Sequence, residues 1–556
     1  MFALLPVLLV LISGTGAQLL FPVNQVPFEL RRNATASEIA GPVWHEARPP
    51  RIAIVGAGAS GSSAAFFLSH FGALRDAGLA TDVTIYDSNE YVGGRSTVLW
   101  PWNDDPLHNP SDRRLSTDAV AAEEDDVDPV EMGASIFVAA NKNLQKARRD
   151  FGLEYEPYGG EEGNTAIWDG EQWVFEETNG FGWDWWHKAK ALWRYGRSPF
   201  TVRSLVKETV GNFLNLYSPA FVSQGAFASL GNFSTATHLR DAASKYANQY
   251  LSSKGVGDLF TNELISAATQ VNYGTPIDRL HGVGALVSLA ATGAVSVKGG
   301  NRQIFEEFVG RSGARLRLGE DARVHSLMKL DAAPGKRAQW LLRTASGVSG
   351  GTYDAVIFAA PFHQTGIQFS NSMVPALIPK QPYVRLYVTF VITNATTPQP
   401  SYFGLPDSTR MPNEIFGTFT TPSSSKPNFN SLNYLKALPA SIGARFGEGT
   451  YHVVKMFSDH SLQRDMLEAL YGKHNVAKTV EKIWLSYPQL QPVTSDSDYA
   501  PVRPDEGFYY PNGFERLIST METSTVSSFN AVSLLLHDFF GYTPPASWAE
   551  WPDDLA

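Results

Sequence analysis

A short apolar run followed by three closely spaced glycines constrains this chain more than any other stretch. Residues Arg51–Val55 read as a β-strand, Gly56–Gly61 has the spacing G-x-G-x-x-G, and a helical pattern follows from Ser62. A strand, such a turn and a helix in this order are the fingerprint of a βαβ unit that binds a dinucleotide. The turn brings the backbone close to the pyrophosphate, and the helix N-terminus offers it free N–H groups. The residues predicted to contact the dinucleotide are Gly56, Gly58, Ala59, Ser60 and Gly61.

A carboxylate follows the next predicted strand at the position that such a unit requires. Asp82–Tyr86 reads as a strand, and Asp87 comes directly after it, 26 residues beyond Gly61. A carboxylate at about this spacing accepts hydrogen bonds from the hydroxyls of an adenosine ribose. Asp87 is therefore predicted to bind the ribose.

The residues after Asp87 indicate which dinucleotide is bound. The chain continues through Gly93, Gly94 and Arg95, which resembles the second glycine motif of FAD-dependent, amine-oxidase-like flavoproteins. In that group the glycine pair and the arginine lie against the pyrophosphate and the ribitol, so the resemblance implies FAD and places these three residues at it. A plain NAD domain needs nothing specific here, and the alternative is a glycine pair that only forms a turn.

The absence of cysteine from all 556 residues narrows the chemistry. A thiol redox pair, a cysteine nucleophile and a flavin tethered through cysteine sulfur are all excluded. FAD is therefore expected to be non-covalent, or at most bound through a histidine. No second G-x-G-x-x-G follows a strand, so we expect no resident NAD(P)H site.

The charge distribution argues against a nucleic-acid partner and against a metal site. The net charge is -10, and no basic tract offsets the repulsion of phosphates. The acidic stretch 101–129 lacks the ligand spacing of a calcium loop and is expected to be a solvated surface insertion.

The N-terminus predicts entry into the secretory pathway. Residues 1–17 contain an apolar run of 11 residues, Phe2–Ile12, and then small residues up to Ala17, which is typical of a cleaved signal peptide. The alternatives are an uncleaved anchor and a buried N-terminal strand. Acceptor sequons for N-glycosylation fit the same route, and the expected destination is a lysosome, a vacuole or the extracellular space. No other stretch predicts a transmembrane anchor. The sequons begin at Asn33, Asn232 and Asn394.

The order of the patterns predicts an α/β protein. A Rossmann-type FAD-binding domain alternates along the chain with a substrate domain that has a mixed sheet and helices. Residues 284–297 are expected to form one buried helix. The predicted boundaries are 48–150, 291–370 and 491–545 for the FAD-binding domain, and 151–290, mainly helical and aromatic, and 371–490, mainly sheet, for the substrate domain.

Six of the 13 tryptophans lie between residues 151 and 250, where they predict either core packing or an aromatic pocket for a large apolar ligand. They are Trp168, Trp173, Trp183, Trp185, Trp186 and Trp193.

Taken together, the motifs resemble the prenylcysteine oxidase family, whose members are also described as prenylcysteine lyases. The resemblance implies an FAD-dependent oxidase that uses O2 and water to convert farnesyl- or geranylgeranylcysteine into a prenyl aldehyde, free cysteine and hydrogen peroxide. The segments that carry it are Ile52–Arg95, Val297–Asn301, Ile483–Pro488, Tyr509–Glu515 and Ser519–Glu522.

Further cofactor-binding residues follow from the same flavoprotein resemblance. The segment around Gly133 resembles one that runs beside the flavin, and Val324 stands where a residue contacts adenine through its backbone. Glu522 opens a helix whose positive end would favour the reduced flavin.

The sequence predicts no catalytic side chain. His281 and Lys455 are candidate proton-transfer or oxygen-activating groups, with ordinary structural roles as the alternative. Two other functions stay open: an amine or polyamine oxidase, which would need groups that bind a cation, and a catalytically silent flavoprotein that binds prenyl lipid.

Overall fold

Distant parts of the chain come together in three main sheets. In the computed structural model the described residues are 43–70, 81–106, 127–157, 165–176, 193–218, 225–291, 293–347, 349–420 and 426–542. The predicted signal peptide and the sequon at Asn33 lie outside them, as does most of the acidic stretch 101–129.

The strands are numbered within the described residues. They are β1 (Arg51–Val55), β2 (Asp82–Tyr86), β3 (Val98–Leu99), β4 (Val130–Glu131), β5 (Tyr155–Pro157), β6 (Thr165–Trp168), β7 (Trp173–Glu176), β8 (Val295–Val297), β9 (Arg315–Arg317), β10 (Val324–Leu330), β11 (Gln339–Thr344), β12 (Ser349–Tyr353), β13 (Ala355–Phe358), β14 (Gln368–Ser370), β15 (Tyr383–Thr393), β16 (Glu414–Gly417), β17 (Ser431–Ala437), β18 (His452–Ser458), β19 (Val476–Pro488) and β20 (Phe508–Tyr509).

The α-helices are numbered in the same way, and a π-helix, Thr261–Ile265, leads directly into one of them. The α-helices are α1 (Ala59–His70), α2 (Lys142–Asp150), α3 (Ser198–Leu214), α4 (Leu230–Ala236), α5 (Arg240–Ala243), α6 (Ala247–Ser253), α7 (Asp258–Phe260), α8 (Ser266–Tyr273), α9 (Gly282–Ser288), α10 (Arg302–Ser312), α11 (Val374–Leu377), α12 (Ala440–Gly443), α13 (Arg464–Tyr471) and α14 (Met521–Phe540).

A five-stranded parallel sheet in the order β20-β13-β1-β2-β9 carries the glycine turn. Its strands come from all three segments assigned to the FAD-binding domain. Both faces are covered, which explains why β1 is apolar without a break from Ile52 to Val55. Ile52 and Ile54 face the core formed with the helices, whereas Ala53 and Val55 face a core shared with the sheet β12-β11-β10-β14. The α/β class and the Rossmann-type unit are thereby confirmed.

Helices α10 and α14 pack against α1 on the helical face of this sheet. Phe66 of α1 lies 4.9 Å from Phe308 of α10, and Phe67 lies 5.1 Å from Phe529 of α14, measured between ring centroids. Such aromatic pairs fix the direction of the helix that follows the glycine turn.

The third large sheet has the order β19-β15-β18-β17-β16-β6-β7 and is mainly antiparallel. Strands β6 and β7 belong to the segment 151–290, which was expected to be mainly helical; its helices are present, but these two strands extend the sheet. Trp168 and Trp173 pack against Phe403 with ring centroids 5.2 and 4.9 Å away, so both serve core packing. Trp193 is 90% exposed. Trp183, Trp185 and Trp186 lie outside the described residues.

The single helix expected over residues 284–297 is wrong. Helix α9 ends at Ser288, and Val295–Val297 forms strand β8, which pairs with β5. Gly293 has a φ of +66°, a left-handed conformation that an α-helix does not continue through. Small apolar residues suit a buried strand as well as a buried helix, so composition could not separate the two.

No helix within the described ranges is long and apolar enough to cross a membrane.

The packing of α1 on β1 predicts a strong effect of a single methyl group. A Cβ at Gly61 would overlap the carbonyl oxygen of Gly56 and lie 3.1 Å from Ile54 Cγ2. We expect Gly61→Ala to lower the free energy of unfolding by about 2–3 kcal/mol. Gly310, in α10, is the control, because a Cβ there meets no atom within 4 Å. Gly310→Ala should raise stability by about 0.5–1 kcal/mol. Thermal unfolding of both variants checks this, and equal effects would contradict it.

Candidate active site

The two glycine motifs, Gly56–Gly61 and Gly93–Gly94, are separate in the sequence but lie against each other in the structure. Gly58 and Gly93 form a β-bridge, and the Gly93 amide donates to the Ala57 carbonyl at 3.0 Å. A Cβ at Gly94 would lie 3.2 Å from Gly58 Cα. Gly56 has a φ of +110°, and a Cβ there would lie 2.5 Å from the Ala359 carbonyl oxygen. The backbone is thus bare on both sides of the turn, as close approach to a pyrophosphate requires.

Asp87 lies at the same turn. One carboxylate oxygen accepts from the Ala57 amide at 2.7 Å, and the other accepts from the amide and the side chain of Asn89 at 2.8 and 2.9 Å. Burial raises the pKa of the Asp87 carboxyl. The oxygen that accepts from Ala57 has a second lone pair, so ribose binding by Asp87 stays a prediction that this geometry permits.

Arg95 joins three parts of the chain. Its Nη1 donates to the Ser486 carbonyl at 2.8 Å, and its Nη2 pairs with the buried carboxylate of Glu515. Tyr383 donates to the other Glu515 oxygen at 2.8 Å. The resemblance places Arg95 at the pyrophosphate and ribitol. The structure shows that its guanidinium also holds Glu515, in the C-terminal segment, and Ser486 of β19, in the sheet β19-β15-β18-β17-β16-β6-β7, which is called the substrate sheet below. Glu515 ends the segment Tyr509–Glu515 that carries part of the family resemblance, but the sequence does not indicate that Arg95 is its partner.

The segment around Gly133 is wedged between Arg95 and the substrate sheet. The Ala134 amide donates to the Arg95 carbonyl at 3.0 Å. A Cβ at Gly133 would overlap that same carbonyl oxygen and lie 2.6 Å from Cη2 of Trp484. A residue without a side chain is therefore needed at Gly133, and the position of this segment beside the flavin stays a prediction.

Lys455 holds the Gly133 segment in place through residues on either side of Gly133. Its Nζ donates to the Glu131 carbonyl at 2.7 Å and to Ser135 Oγ at 3.3 Å, while the Asn301 amide donates to Glu131 Oε1 at 2.6 Å. Burial lowers the pKa of Lys455 and raises the pKa of Glu131. The structure gives Lys455 a positioning role for the backbone that lines the site.

His281 has a structural role. Its Nδ1 accepts from the Gly284 amide at 3.1 Å, which caps α9, and its Nε2 donates to the Arg516 carbonyl at 3.2 Å. Burial lowers the pKa of His281 to about 4. His281 is not among the residues that line the cavity described below, so the structure gives no support to its candidacy as a proton-transfer group.

Glu522 lies fully buried in the first turn of α14. Its two oxygens accept from the amides of Asn143 and Leu144 at 2.9 and 3.1 Å, and Tyr217 also donates to it. These amides belong to the first turn of α2, whose N–H groups have no partner within that helix. Burial raises the pKa of Glu522 to about 7. A cofactor contact of Glu522 stays a prediction, while its carboxylate caps α2.

Val324 begins β10 and lies in the core shared with Val55 and Tyr86, at the carboxyl ends of β1 and β2. Its predicted backbone contact with adenine is not tested by these contacts.

A cavity of about 200 Å³ lies beside the Gly133 segment, between α2, α3, α8, α9 and the start of α14. Its wall is mostly apolar, and Tyr273 and Tyr487 meet there edge to face with ring centroids 5.6 Å apart. Glu522 is the one acid, and no Lys, Arg or His is among the lining residues that the structure describes. They are Gly133–Val138, Ala140, Asn141, Leu144, Thr209, Val210, Phe213, Asn272, Tyr273, Leu286–Ser288, Ala290, Ala291, Tyr487 and Ile518–Thr523.

The residues present fit a large polar cofactor. Buried polar atoms without hydrogen-bond partners belong to residues near Arg95 and Gly133. These atoms are Ser96 Oγ, Trp484 Nε1, Ser486 Oγ and Asn512 Oδ1. The bare glycine backbone of Gly93 and Gly94 directly precedes Arg95 in the chain. FAD has donors and acceptors along its whole length and would be held by the glycine turn, Arg95 and the Gly133 segment. Among the described residues, no group of three His, Asp or Glu side chains is placed to hold a metal.

Known proteins were compared with the chain. The family model for prenylcysteine lyase matches residues 175–544, and that for an NAD(P)-binding Rossmann-like domain matches residues 54–99. Prenylcysteine oxidase 1 of Mus musculus is 27% identical over 506 residues, which cover 89% of this chain and 90% of that protein. Farnesylcysteine lyase of Arabidopsis thaliana is 27% identical over 507 residues, which cover 88% and 89%. The solved structure of cyclohexylamine oxidase from Brevibacterium oxydans shares the fold, with a TM-score of 0.52 at 12% identity over 88% of this chain and 99% of that one.

The glycine cradle on a parallel sheet, with an apolar cavity beside it, defines an FAD-dependent oxidoreductase. FAD is the cofactor, as the second glycine motif predicted. Because the prenylcysteine lyase model spans well over half of the sequence, the chain belongs to the prenylcysteine lyase family and is an FAD-dependent oxidase.

The buried carboxyl of Glu522 predicts a pH-dependent stability. Its pKa is about 7 in the folded chain, against an ordinary value of 4.5. The folded state therefore binds the proton more tightly, and the contribution of Glu522 to the free energy of unfolding falls as the pH rises from about 4.5 to about 7. A glutamine has no such dependence. We expect the stability of the wild type relative to Glu522→Gln to fall by about 2 kcal/mol between pH 5 and pH 8. Urea unfolding at both pH values measures it, and a gap that stays constant would contradict it.

Proposed function

We propose that this enzyme oxidises the thioether of prenylcysteines, with farnesyl- or geranylgeranylcysteine as substrate. Thioether, water and O2 give prenyl aldehyde, free cysteine and hydrogen peroxide. The allylic carbon next to sulfur loses a hydride, water adds to that carbon, and the C–S bond then breaks with the proton passing to the cysteine sulfur. The relatives named prenylcysteine oxidase 1 and farnesylcysteine lyase support this substrate class.

The observation that carries the proposal is the composition of the cavity wall. Among its described residues Glu522 is the one carboxylic acid, Lys, Arg and His are absent, and both oxygens of Glu522 are occupied by donors of the chain itself. A wall without a free carboxylate offers no ion-pair partner to a permanently charged ammonium group, whereas an uncharged isoprenoid gains free energy by leaving water. The tail and the thioether are therefore the parts of the substrate assigned to this cavity. The charged amino-acid end belongs outside it.

The chain contributes by positioning the substrate and by shielding the cavity from bulk water. FAD, when bound, supplies the two-electron acceptor. The Gly133 segment, held by Lys455 and Asn301, forms a rigid wall of the cavity, and Tyr273 and Tyr487 form another. The faces of these two rings are electron-rich and favour positive charge that develops at a carbon attached to sulfur. Holding that carbon in one orientation is the main contribution that such an enzyme must make.

An amine or polyamine oxidase is the second candidate, and the fold of cyclohexylamine oxidase is the observation that favours it. A cationic amine would need an accessible carboxylate, and the described cavity wall offers none. A silent flavoprotein that binds prenyl lipid is the third candidate, and it would have the same cavity.

The three candidates differ in the reaction of bound flavin. We expect farnesylcysteine to bleach the flavin absorption without oxygen, and to yield farnesal and peroxide in equal amounts once oxygen is admitted. Spermine should do neither. Bleaching by spermine alone would favour the amine oxidase, and binding of farnesylcysteine without bleaching would favour the silent flavoprotein.

Substrate tail length should be read by α3, which lines the cavity with Val210 and Phe213. Val210→Phe fills part of the space for the tail, so we expect the KM to rise by about tenfold or more, with a larger rise for geranylgeranyl- than for farnesylcysteine. Ser204→Phe adds the same ring to the exposed side of the helix and is the matched control. Steady-state kinetics with both substrates measure this. Equal changes in the two variants would contradict the assignment of the cavity to the tail.

We also propose that the chain enters the secretory pathway and is cleaved near Ala17. The apolar run, the small residues after it and the three sequons support this. Asn232 and Asn394 are half-buried in the folded chain. N-terminal sequencing of protein from its native host should find a start close to residue 18, and glycosidase treatment should lower its mass. A mature chain that begins at Met1 and carries no glycan would contradict the proposal.

A further inference from the structure

Strand β19 lies outside the Rossmann-type unit, yet its inward side meets the residues that hold the cofactor. It is an edge strand that pairs with β15. Ile483 and Leu485 point outward and are 49% and 39% exposed, whereas Trp484 and Ser486 alternate with them and point inward. Tyr487, the next residue, reaches the cavity.

Trp484 packs directly on the Gly133 segment. Its ring carbons Cη2 and Cζ2 would lie 2.6 and 2.9 Å from a Cβ at Gly133, so the indole takes the space that any side chain there would need. The indole Nε1 is buried and has no hydrogen-bond partner within the chain. Buried tryptophan N–H groups normally have an acceptor, and a missing one costs about 1–3 kcal/mol.

Ser486 contacts Arg95, a second predicted cofactor residue. Its carbonyl accepts from Arg95 Nη1 at 2.8 Å, while its own hydroxyl is buried and without a partner. Asn512 shows the same pattern, because its Nδ2 donates at 3.0 Å to Glu515, which pairs with Arg95, and its Oδ1 has no partner. Ser96, the neighbour of Arg95 in the chain, has an unpartnered hydroxyl as well.

Unpartnered buried atoms occur elsewhere in the described chain, for example Trp102 Nε1 and Tyr434 Oη. Those near the cofactor residues differ in that each belongs to a residue that adjoins Arg95, its partner Glu515, or Gly133. Polar atoms from three separate segments are thus left without partners in residues that adjoin the predicted cofactor residues.

We propose that Trp484 and Ser486 are cofactor-binding residues, which donate hydrogen bonds to FAD from the substrate sheet. The indole N–H serves an acceptor of the cofactor, and the hydroxyl of Ser486 serves a second polar atom of it. Strand β19 is then one wall of the cofactor site as well as the end of the substrate cavity. The inference concerns FAD alone and holds for any substrate.

Trp484→Phe tests the proposal, since it keeps most of the packing on Gly133 and removes the N–H. We expect the apoprotein of this variant to bind FAD about five- to tenfold more weakly than wild type, with a shifted visible absorption maximum of the bound flavin. The melting temperature of the apoprotein should not fall, because the N–H has no partner there to lose and its removal takes away the cost of an unpaired buried donor. Ser486→Ala should also weaken FAD binding, because it removes the hydroxyl. The backbone carbonyl that holds Arg95 remains in this variant, so the effect is due to the hydroxyl alone.

Trp102→Phe is the matched control, because it removes a similarly unpartnered N–H from a residue packed beside Lys436. It should leave both FAD affinity and the flavin spectrum unchanged. FAD affinities within about twofold of wild type for both Trp484→Phe and Ser486→Ala, with unshifted spectra, would overturn the proposal. If Trp484→Phe instead lowers the melting temperature of the apoprotein, Trp484 is structural, and FAD binding by Ser486→Ala decides whether β19 contacts the cofactor.

Discussion

The ion pair between the half-buried Arg95 and the buried carboxylate of Glu515 is the interaction on which the site depends. A carboxylate taken out of water must find a partner of opposite charge, and loss of that partner leaves an uncompensated buried charge. Arg95 follows the second glycine motif, Glu515 precedes the last helix, and Ser486 ends the substrate sheet. One guanidinium therefore fixes the relative position of three segments, and the Gly133 segment is held against the Arg95 carbonyl in turn.

Local sequence signals predicted the elements that lie around this pair. The bounds of β1 and β2 agree with the sequence patterns, because alternation and β-branched residues determine strands over short ranges. The resemblance to flavoproteins predicted that both glycine motifs bind the cofactor, and the structure brings Gly58 and Gly93 together. FAD, the α/β class and the family could all be inferred from such local motifs.

Features that depend on distant partners could not be inferred in this way. The end of α9 depends on Gly293 and on partners of Val295–Val297 that come from residues 137–157. The role of Glu522 as a cap for α2 required knowledge of a helix that lies about 370 residues earlier in the chain. The same holds for Trp484, whose importance appears only when the indole is seen against Gly133.

The order of strands in the parallel sheet has a consequence for biosynthesis. Strand β20, at Phe508–Tyr509, pairs with β13, which pairs with β1 at Arg51–Val55, and α14 then covers α1. Neighbours in this sheet are separated by up to several hundred residues, and such non-local pairing slows folding because long loops must close first. While the ribosome is still adding residues before Phe508, the nascent N-terminal unit has an unpaired strand edge and an uncovered helix. The growing chain therefore has an exposed apolar surface for most of its synthesis, and this surface is open to aggregation until the C-terminal residues arrive.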